Sequence, residues 1–149
     1  MLLFPSPHSQ EIITLQNTIK QLDDVECPGY HIDIMDGKFV THTMGSVLLT
    51  NQIALLTDKP LWVHLMTESP LQYITQLQLK PGSIVSIHYE TTTNQSLDTI
   101  LKELRIKQLL SSLAINPETP VSAIAGIAHQ FDQILLMSVK PGSAGQLFL

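Results

Sequence analysis

The run His31-Ile32-Asp33-Ile34-Met35-Asp36-Gly37 concentrates residue types that bind cations and move protons. Side chains on an extended strand alternate with period two, so His31, Asp33 and Met35 share one face and Ile32 and Ile34 the other. An imidazole and a carboxylate side by side on the interior of a sheet cost stability unless they pair or hold a metal. The pair therefore reads in two ways. It is a His–Asp hydrogen bond at a strand end, or it is part of a ligand set for Zn²⁺, Fe²⁺ or Mn²⁺.

A second apolar run, Leu61–Met66, sets Trp62, His64 and Met66 on a common face. A lone strand histidine is more often a hydrogen-bonded core residue than a ligand. Here it is the third ligand-type residue on two successive strands. A third run places Ser86, His88 and Glu90 on one face, either as groups supporting the ligands from behind or as a polar rim. His8, His42 and His129 fall in loop or helix positions and read as solvated surface. The segment Met137-Ser138-Val139-Lys140-Pro141-Gly142-Ser143-Ala144-Gly145-Gln146 follows an apolar run and is rich in small residues. Backbone N–H groups in such a loop can grip an anion such as phosphate. A plain strand-to-helix loop fits the pattern equally well.

The elements that must position these groups alternate. Short β-favouring runs lie at Leu2–Ser6, Tyr30–Met35, Leu61–Met66, Ile84–Tyr89, Leu110–Ile115 and Ile134–Val139. Helical spacing lies between them: Ile12, Leu15, Ile19 and Leu22 behind a Ser9 cap; Val47 to Leu56; Pro70 to Leu79 behind Ser69; Leu97, Ile100, Leu101 and Leu104; and Val121, Ile124 and Ala128. Alternating βαβα units imply a parallel sheet covered by helices, either open and doubly wound or closed into a barrel. Periodicity alone does not choose between them. Both architectures collect polar site residues at the C-terminal ends of the strands.

Composition narrows the class. The chain has 149 residues, 44% apolar and 14% charged, with a formal net charge of −5. That suits one globular domain and excludes a disordered or collagen-like chain. No basic stripe points to nucleic acid or an anionic membrane. The single cysteine, Cys27, excludes a disulfide framework and a cysteine-cluster zinc site. The apolar start lacks a positive n-region and is interrupted by Pro5 and Pro7, and no apolar stretch reaches spanning length. The expectation is a soluble cytoplasmic protein.

Together these segments resemble the ribulose-phosphate 3-epimerase family. The resemblance is carried by Pro5-Ser6, His31 to Val40, Val63 to Met66, Ile87 to Glu90, Leu113 to Pro117 and Leu136 to Gln146, in the family's order and spacing. It implies an α/β fold of the (β/α)₈ TIM-barrel type, here with about six βα units in residues 1–149, read as a single ribulose-phosphate-binding domain. It implies an isomerase that interconverts D-ribulose 5-phosphate and D-xylulose 5-phosphate at C3 through a metal-stabilised enediolate. By the same resemblance His31, Asp33 and His64 are metal ligands for one divalent ion (Zn, Fe, Mn or Co), and Asp33 is also an acid/base group. Ser6, His64, Met35, Met66 and Met137 contact substrate, and Gly142, Ser143, Ala144 and Gly145 line the phosphate side. Asp36 matches the motif but has the opposite strand parity from Asp33 and reads as structural. The implied partner is a small sugar phosphate, not nucleic acid or membrane, and association into a homo-oligomer is compatible.

The sequence departs from the family pattern in three places. It stops soon after the sixth unit, so strands seven and eight, with the second acid/base aspartate and the main phosphate loops, are expected to be absent. Without them the first and sixth strands are expected to be exposed edges. Lys140 stands where an acidic residue is usual, and Thr41-His42-Thr43 replaces the usual loop after the Asp-Gly pair. Two alternatives to the pentose epimerase follow: an inactive, truncated metal- or sugar-phosphate-binding remnant, or an epimerase for a six-carbon ketose phosphate such as allulose 6-phosphate.

Overall fold

A computed structural model describes residues 2–7, 14–143 and 145–148. The fold is α/β. Four helices are described: α1 (Leu15–Asp23), α2 (Val47–Leu56), α3 (Pro70–Ile74) and α4 (Asn94–Ile106). Six strands form one sheet: β1 (Tyr30–Asp36), β2 (Thr43–Met44), β3 (Leu61–Met66), β4 (Ile84–His88), β5 (Leu110–Ile115) and β6 (Gln133–Leu136). The order across the sheet is β2-β1-β3-β4-β5-β6. Every neighbour pair is parallel except β1 with the two-residue β2. The sheet is not closed, as an incomplete barrel requires.

One face of the sheet carries the apolar core. Ile32 and Ile34 of β1, Val63 and Leu65 of β3, Val85 and Ile87 of β4 and Leu113 of β5 are all essentially inaccessible. They pack against Ile19 of α1, Ile53 of α2, Ile74 of α3 and the Leu97, Ile100, Leu101 and Leu104 stripe of α4. The stripe recurs at i, i+3, i+4 and i+7, as an amphipathic helix on a sheet demands. Thr93 and Ser96 cap α4 reciprocally, and Ser46 caps α2 by accepting from Leu49 N–H at 3.1 Å.

Five elements differ from the sequence expectation, among them the sixth strand, which ends at Leu136 instead of Val139. Leu2–Ser6 is irregular, because Pro5 and Pro7 have no N–H to give a ladder. One bond, His31 N–H to the Pro5 carbonyl at 2.9 Å, holds it beside β1. The third helix ends at Ile74 instead of Leu79, since the Asn51 side chain of α2 donates to Gln76 O and accepts from Gln78 N–H, drawing that backbone out of the helix. Its Ser69 makes no side-chain cap bond. The fifth helix is two short 3₁₀ turns, Val121–Ile124 and Ala128–Gln130, separated by Gly126, a poor helix former. The short β2 was not expected, and the sheet's described edges are β2 and β6. The Ser9 cap and Ile12 lie outside the described residues.

Candidate metal centre

The opposite face of the sheet is polar where the core face is apolar. Register brings the alternating sets of β1 and β3 together: His31 opposite Trp62, Asp33 opposite His64 and Met35 opposite Met66. Asp33 Oδ1 lies 3.1 Å from His31 Nε2 and 3.3 Å from His64 Nδ1. One donor atom from each of His31, Asp33 and His64 falls within 4.8 Å of the others. An imidazole–carboxylate–imidazole set with converging lone pairs fits a divalent transition metal by its chemistry.

Electrostatics follow from the packing. Burial alone would raise the Asp33 carboxyl, but the imidazoles of His31 and His64 beside it outweigh burial and hold the group well below the usual carboxylate range. His64 is 3% exposed, and burial pushes its imidazole below the ordinary value against the pull of Asp33. Both rings beside the carboxylate offer nitrogen lone pairs only in the neutral form, and the burial of His64 favours that form.

The triad opens into a cleft of about 750 Å³ at the C-terminal ends of the strands. Met35, Met66 and Met137 line it, with Gly142 and Ser143 on the wall formed by the loop after β6 and His42, Thr43 and Met44 on the wall after β1. A Cβ on Gly142 would lie 2.8 Å from Val40 Cβ, so a side chain there would force the two walls apart. Gln146 donates its amide to the carbonyls of Lys140 and Ser143, bracing this loop. Lys140 pairs with Glu118 at 3.2 Å, both well exposed. Ser6 is partly buried beside β1 and is not among the residues lining the cleft; neither is Gly145. Ala144 and His8 lie outside the described residues. His42 and His129 are exposed, and His42 stands at the cleft mouth.

The third polar strand lies directly behind the triad. Ser86 accepts from Trp62 Nε1–H at 2.7 Å. His88, fully buried, meets His64 Nε2 to Nε2 at 2.8 Å and faces Glu90 Oε2 through Nδ1 at 3.2 Å. Burial, with the neighbouring His64 charge, pushes His88 down to about 4. The shared face of Ser86 and His88 was legible in the sequence, whereas Glu90 lies past the end of β4 in the 3₁₀ turn Tyr89–Thr91 and reaches His88 from there; the contact between His88 and His64 depends on the β3–β4 register and was not legible.

Asp36 works outside the cleft. Its carboxylate accepts from Lys38 N–H and Phe39 N–H at 2.9 Å and from Glu68 N–H at 2.8 Å, tying the loop after β1 to the loop after β3. Burial opposes the charge, but these three donors prevail and hold the carboxyl below its ordinary value. A carboxyl lowered in the folded state adds stability above its unfolded value, about 4, and loses it as pH falls through the folded value. The difference in urea midpoint between the unsubstituted chain and Asp36→Asn should therefore be largest near neutrality and shrink below about pH 4. A difference that stays constant with pH would remove the carboxylate from this role.

Comparison with known proteins agrees with the geometry. The profile of the ribulose-phosphate 3 epimerase family matches residues 2–149. The ribulose-phosphate 3-epimerase of Bacillus subtilis is 34% identical over 145 residues, covering 97% of this chain and 66% of that protein. The Synechocystis ribulose-phosphate 3-epimerase is 33% identical over 145 residues, covering 97% and 63%. The chloroplastic ribulose-5-phosphate-3-epimerase of Arabidopsis thaliana is 32% identical over 149 residues, covering 100% and 53%. The chain thus spans between about half and two thirds of the length of these relatives. A polar triad on the inner face of a parallel α/β sheet and a match along nearly every residue lead to one conclusion: this chain belongs to the ribulose-phosphate 3-epimerase family.

Proposed function

We propose that the protein is a metal-dependent sugar-phosphate epimerase, with D-ribulose 5-phosphate and D-xylulose 5-phosphate as its substrate pair. The carrying observation is the convergence of His31, Asp33 and His64 within 4.8 Å at the floor of the cleft. These three residues would hold one divalent ion, Zn, Fe, Mn or Co. A bound divalent ion supplies positive charge where an oxyanion develops next to a carbonyl.

The chain's own residues do the rest. The proton on a carbon beside a carbonyl is weakly acidic, and removing it needs a carboxylate within hydrogen-bond reach. Asp33, held ionised between two imidazoles, takes or returns the C3 proton at its carboxylate oxygen. Met35, Met66 and Met137 cover the reacting carbons with polarisable thioether surface and exclude water. Gly142 and Ser143, on the wall after β6, would offer backbone N–H groups to the phosphate, and Ser6 would contact the sugar from beside β1. Epimerisation needs a second acid/base group on the other face of the carbon. This reading takes that group, and the main phosphate grip, to lie in the part of the relatives' length that the 149 residues do not span. On it residues 1–149 are six units of one barrel-type domain in a cytoplasmic enzyme.

The test is exchange at C3. D-ribulose 5-phosphate in D₂O with the protein and Mn²⁺ or Zn²⁺ is expected to gain deuterium at C3, read by NMR. Chelation with EDTA should abolish the exchange and readdition of metal restore it. Exchange that survives complete metal removal, verified by elemental analysis, would sink the metal-dependent reading. The same experiment on allulose 6-phosphate separates the five- and six-carbon substrates.

A further inference from the structure

The chain of contacts behind the triad runs from the buried His64 and His88 to the exposed Glu90, and it has a direction. Glu90 Oε1 accepts from Asn116 N–H at 2.9 Å and from the Thr119 hydroxyl. Its other oxygen, Oε2, faces His88 Nδ1. A carboxylate only accepts, so His88 Nδ1 carries the hydrogen and His88 Nε2 is a lone pair. That lone pair sits 2.8 Å from His64 Nε2, with the two ring planes within 22° of parallel. His64 Nε2 then carries the hydrogen, and His64 Nδ1 is a lone pair 3.3 Å from Asp33 Oδ1. Three contacts run from Asp33 to Glu90, and two neutral rings supply two hydrogens. Anchoring the chain at Glu90 turns two acceptor atoms, Asp33 Oδ1 and His64 Nδ1, toward each other, where His31 Nε2 also arrives at 3.1 Å. A cation there converts lone-pair repulsion into attraction.

We propose that Glu90 and His88 are positioning residues that fix the His64 tautomer with Nδ1 open toward Asp33, so that the triad is preset to take a divalent cation. The inference rests on the metal reading above. Its argument is donor direction: outer partners of a ligating histidine select which ring nitrogen is available and orient the ring. The chain of contacts also explains why a strand interior holds a fully buried His88 next to a second buried histidine, an arrangement that costs stability if it serves packing alone.

Glu90→Gln tests it with a near-isosteric change. The Gln oxygen must stay on Asn116 N–H and the Thr119 hydroxyl, so its NH₂ turns to His88 Nδ1 and donates. His88 Nδ1 becomes the acceptor, His88 Nε2 the donor, and His64 is driven to Nδ1–H. Two readouts on the 149-residue chain decide the outcome: Zn²⁺ affinity by competition titration, and the ring tautomer of His64 from ¹⁵N-labelled histidine NMR spectra of the metal-free protein. The expected result is His64 Nε2–H in the unsubstituted chain, Nδ1–H in Glu90→Gln, and Zn²⁺ binding about 10–100-fold weaker in the variant. The same tautomer in both proteins overturns the proposal, as does equal Zn²⁺ affinity. If the unsubstituted chain takes no Zn²⁺, the metal reading fails, and the tautomers alone decide for or against the relay. Should Glu90→Gln not fold, His88→Gln and His88→Leu replace it. The first keeps an acceptor for His64 Nε2–H and is expected to bind Zn²⁺ nearly as the parent does. The second offers none and is expected to fall by about 10–100-fold. Equal affinities in that pair overturn the proposal.

Discussion

Asp33→Asn is expected to slow C3 proton exchange by at least about 10²–10⁴-fold in protein that performs the exchange, the range for loss of a positioned acid/base group. Two losses combine in this one substitution. The side chain no longer has a carboxylate to accept a carbon-bound proton, and the triad loses its only anionic ligand between His31 and His64. Zn²⁺ or Mn²⁺ affinity should fall with it. The fold should survive, because Asn fills the same volume and can still bond one imidazole. Removing a carboxylate that faces two imidazoles changes few contacts with the apolar core, which lies on the other side of the sheet. The check pairs deuterium incorporation with a thermal melt. Retained exchange in a folded variant would take Asp33 out of the acid/base role, whereas loss of both exchange and folding would show a structural demand instead.

Gly45→Ala is expected to destabilise the protein by about 2–4 kcal/mol, with a simultaneous loss of metal affinity. Gly45 has φ +67, a region costing an L-residue about 1–2 kcal/mol. Its added Cβ would also sit 2.3 Å from the Asp33 carbonyl oxygen, a backbone atom that cannot swing aside. Relief requires moving β1 at the residue that holds the triad together, or lifting β2 from its pairing of Met35 with Met44. Gly82 supplies the control. Its φ is +83, but a Cβ there meets nothing within 4 Å. Gly82→Ala should therefore show only the backbone penalty, about 1–2 kcal/mol, and leave metal binding unchanged. Equal effects of the two substitutions in urea unfolding would refute the steric part of the argument.

Much of this arrangement was legible in the residues because strand parity is strict. Given that Tyr30–Met35 and Leu61–Met66 are strands, period two alone puts His31, Asp33 and Met35 on one face and His64 and Met66 on one face, and the structure sets those faces on the same side. The α4 stripe was equally plain, since four leucine and isoleucine positions at helical spacing admit one buried face. What was not legible depends on partners distant in sequence. The early end of α3 is set by Asn51, a residue of another helix. The pairing of Lys140 with Glu118 and the contact of His88 with His64 depend on which loops and strands lie side by side. Leu2–Ser6 misled for a local reason: its apolar composition suits a strand, while Pro5 and Pro7 deny it the ladder. The roles given to Ser6, the methionines and the Gly142–Gly145 loop in binding substrate rest on the family's pattern and on the proposal built from it.

The spatial order of the parallel strands is also their order along the chain: β1, β3, β4, β5, β6. Each parallel strand therefore adds beside the one made just before it, and none has to be inserted between two neighbours already in place. During synthesis, which delivers the N-terminal part first, such a sheet can grow at a single advancing edge. Asp33 and His64 can become neighbours once the chain has been made through Met66, and His88 can close behind them one strand later. The wall from Met137 to Ser143 comes after all three, so the floor of the cleft with His31, Asp33 and His64 can be assembled on the ribosome well before that wall.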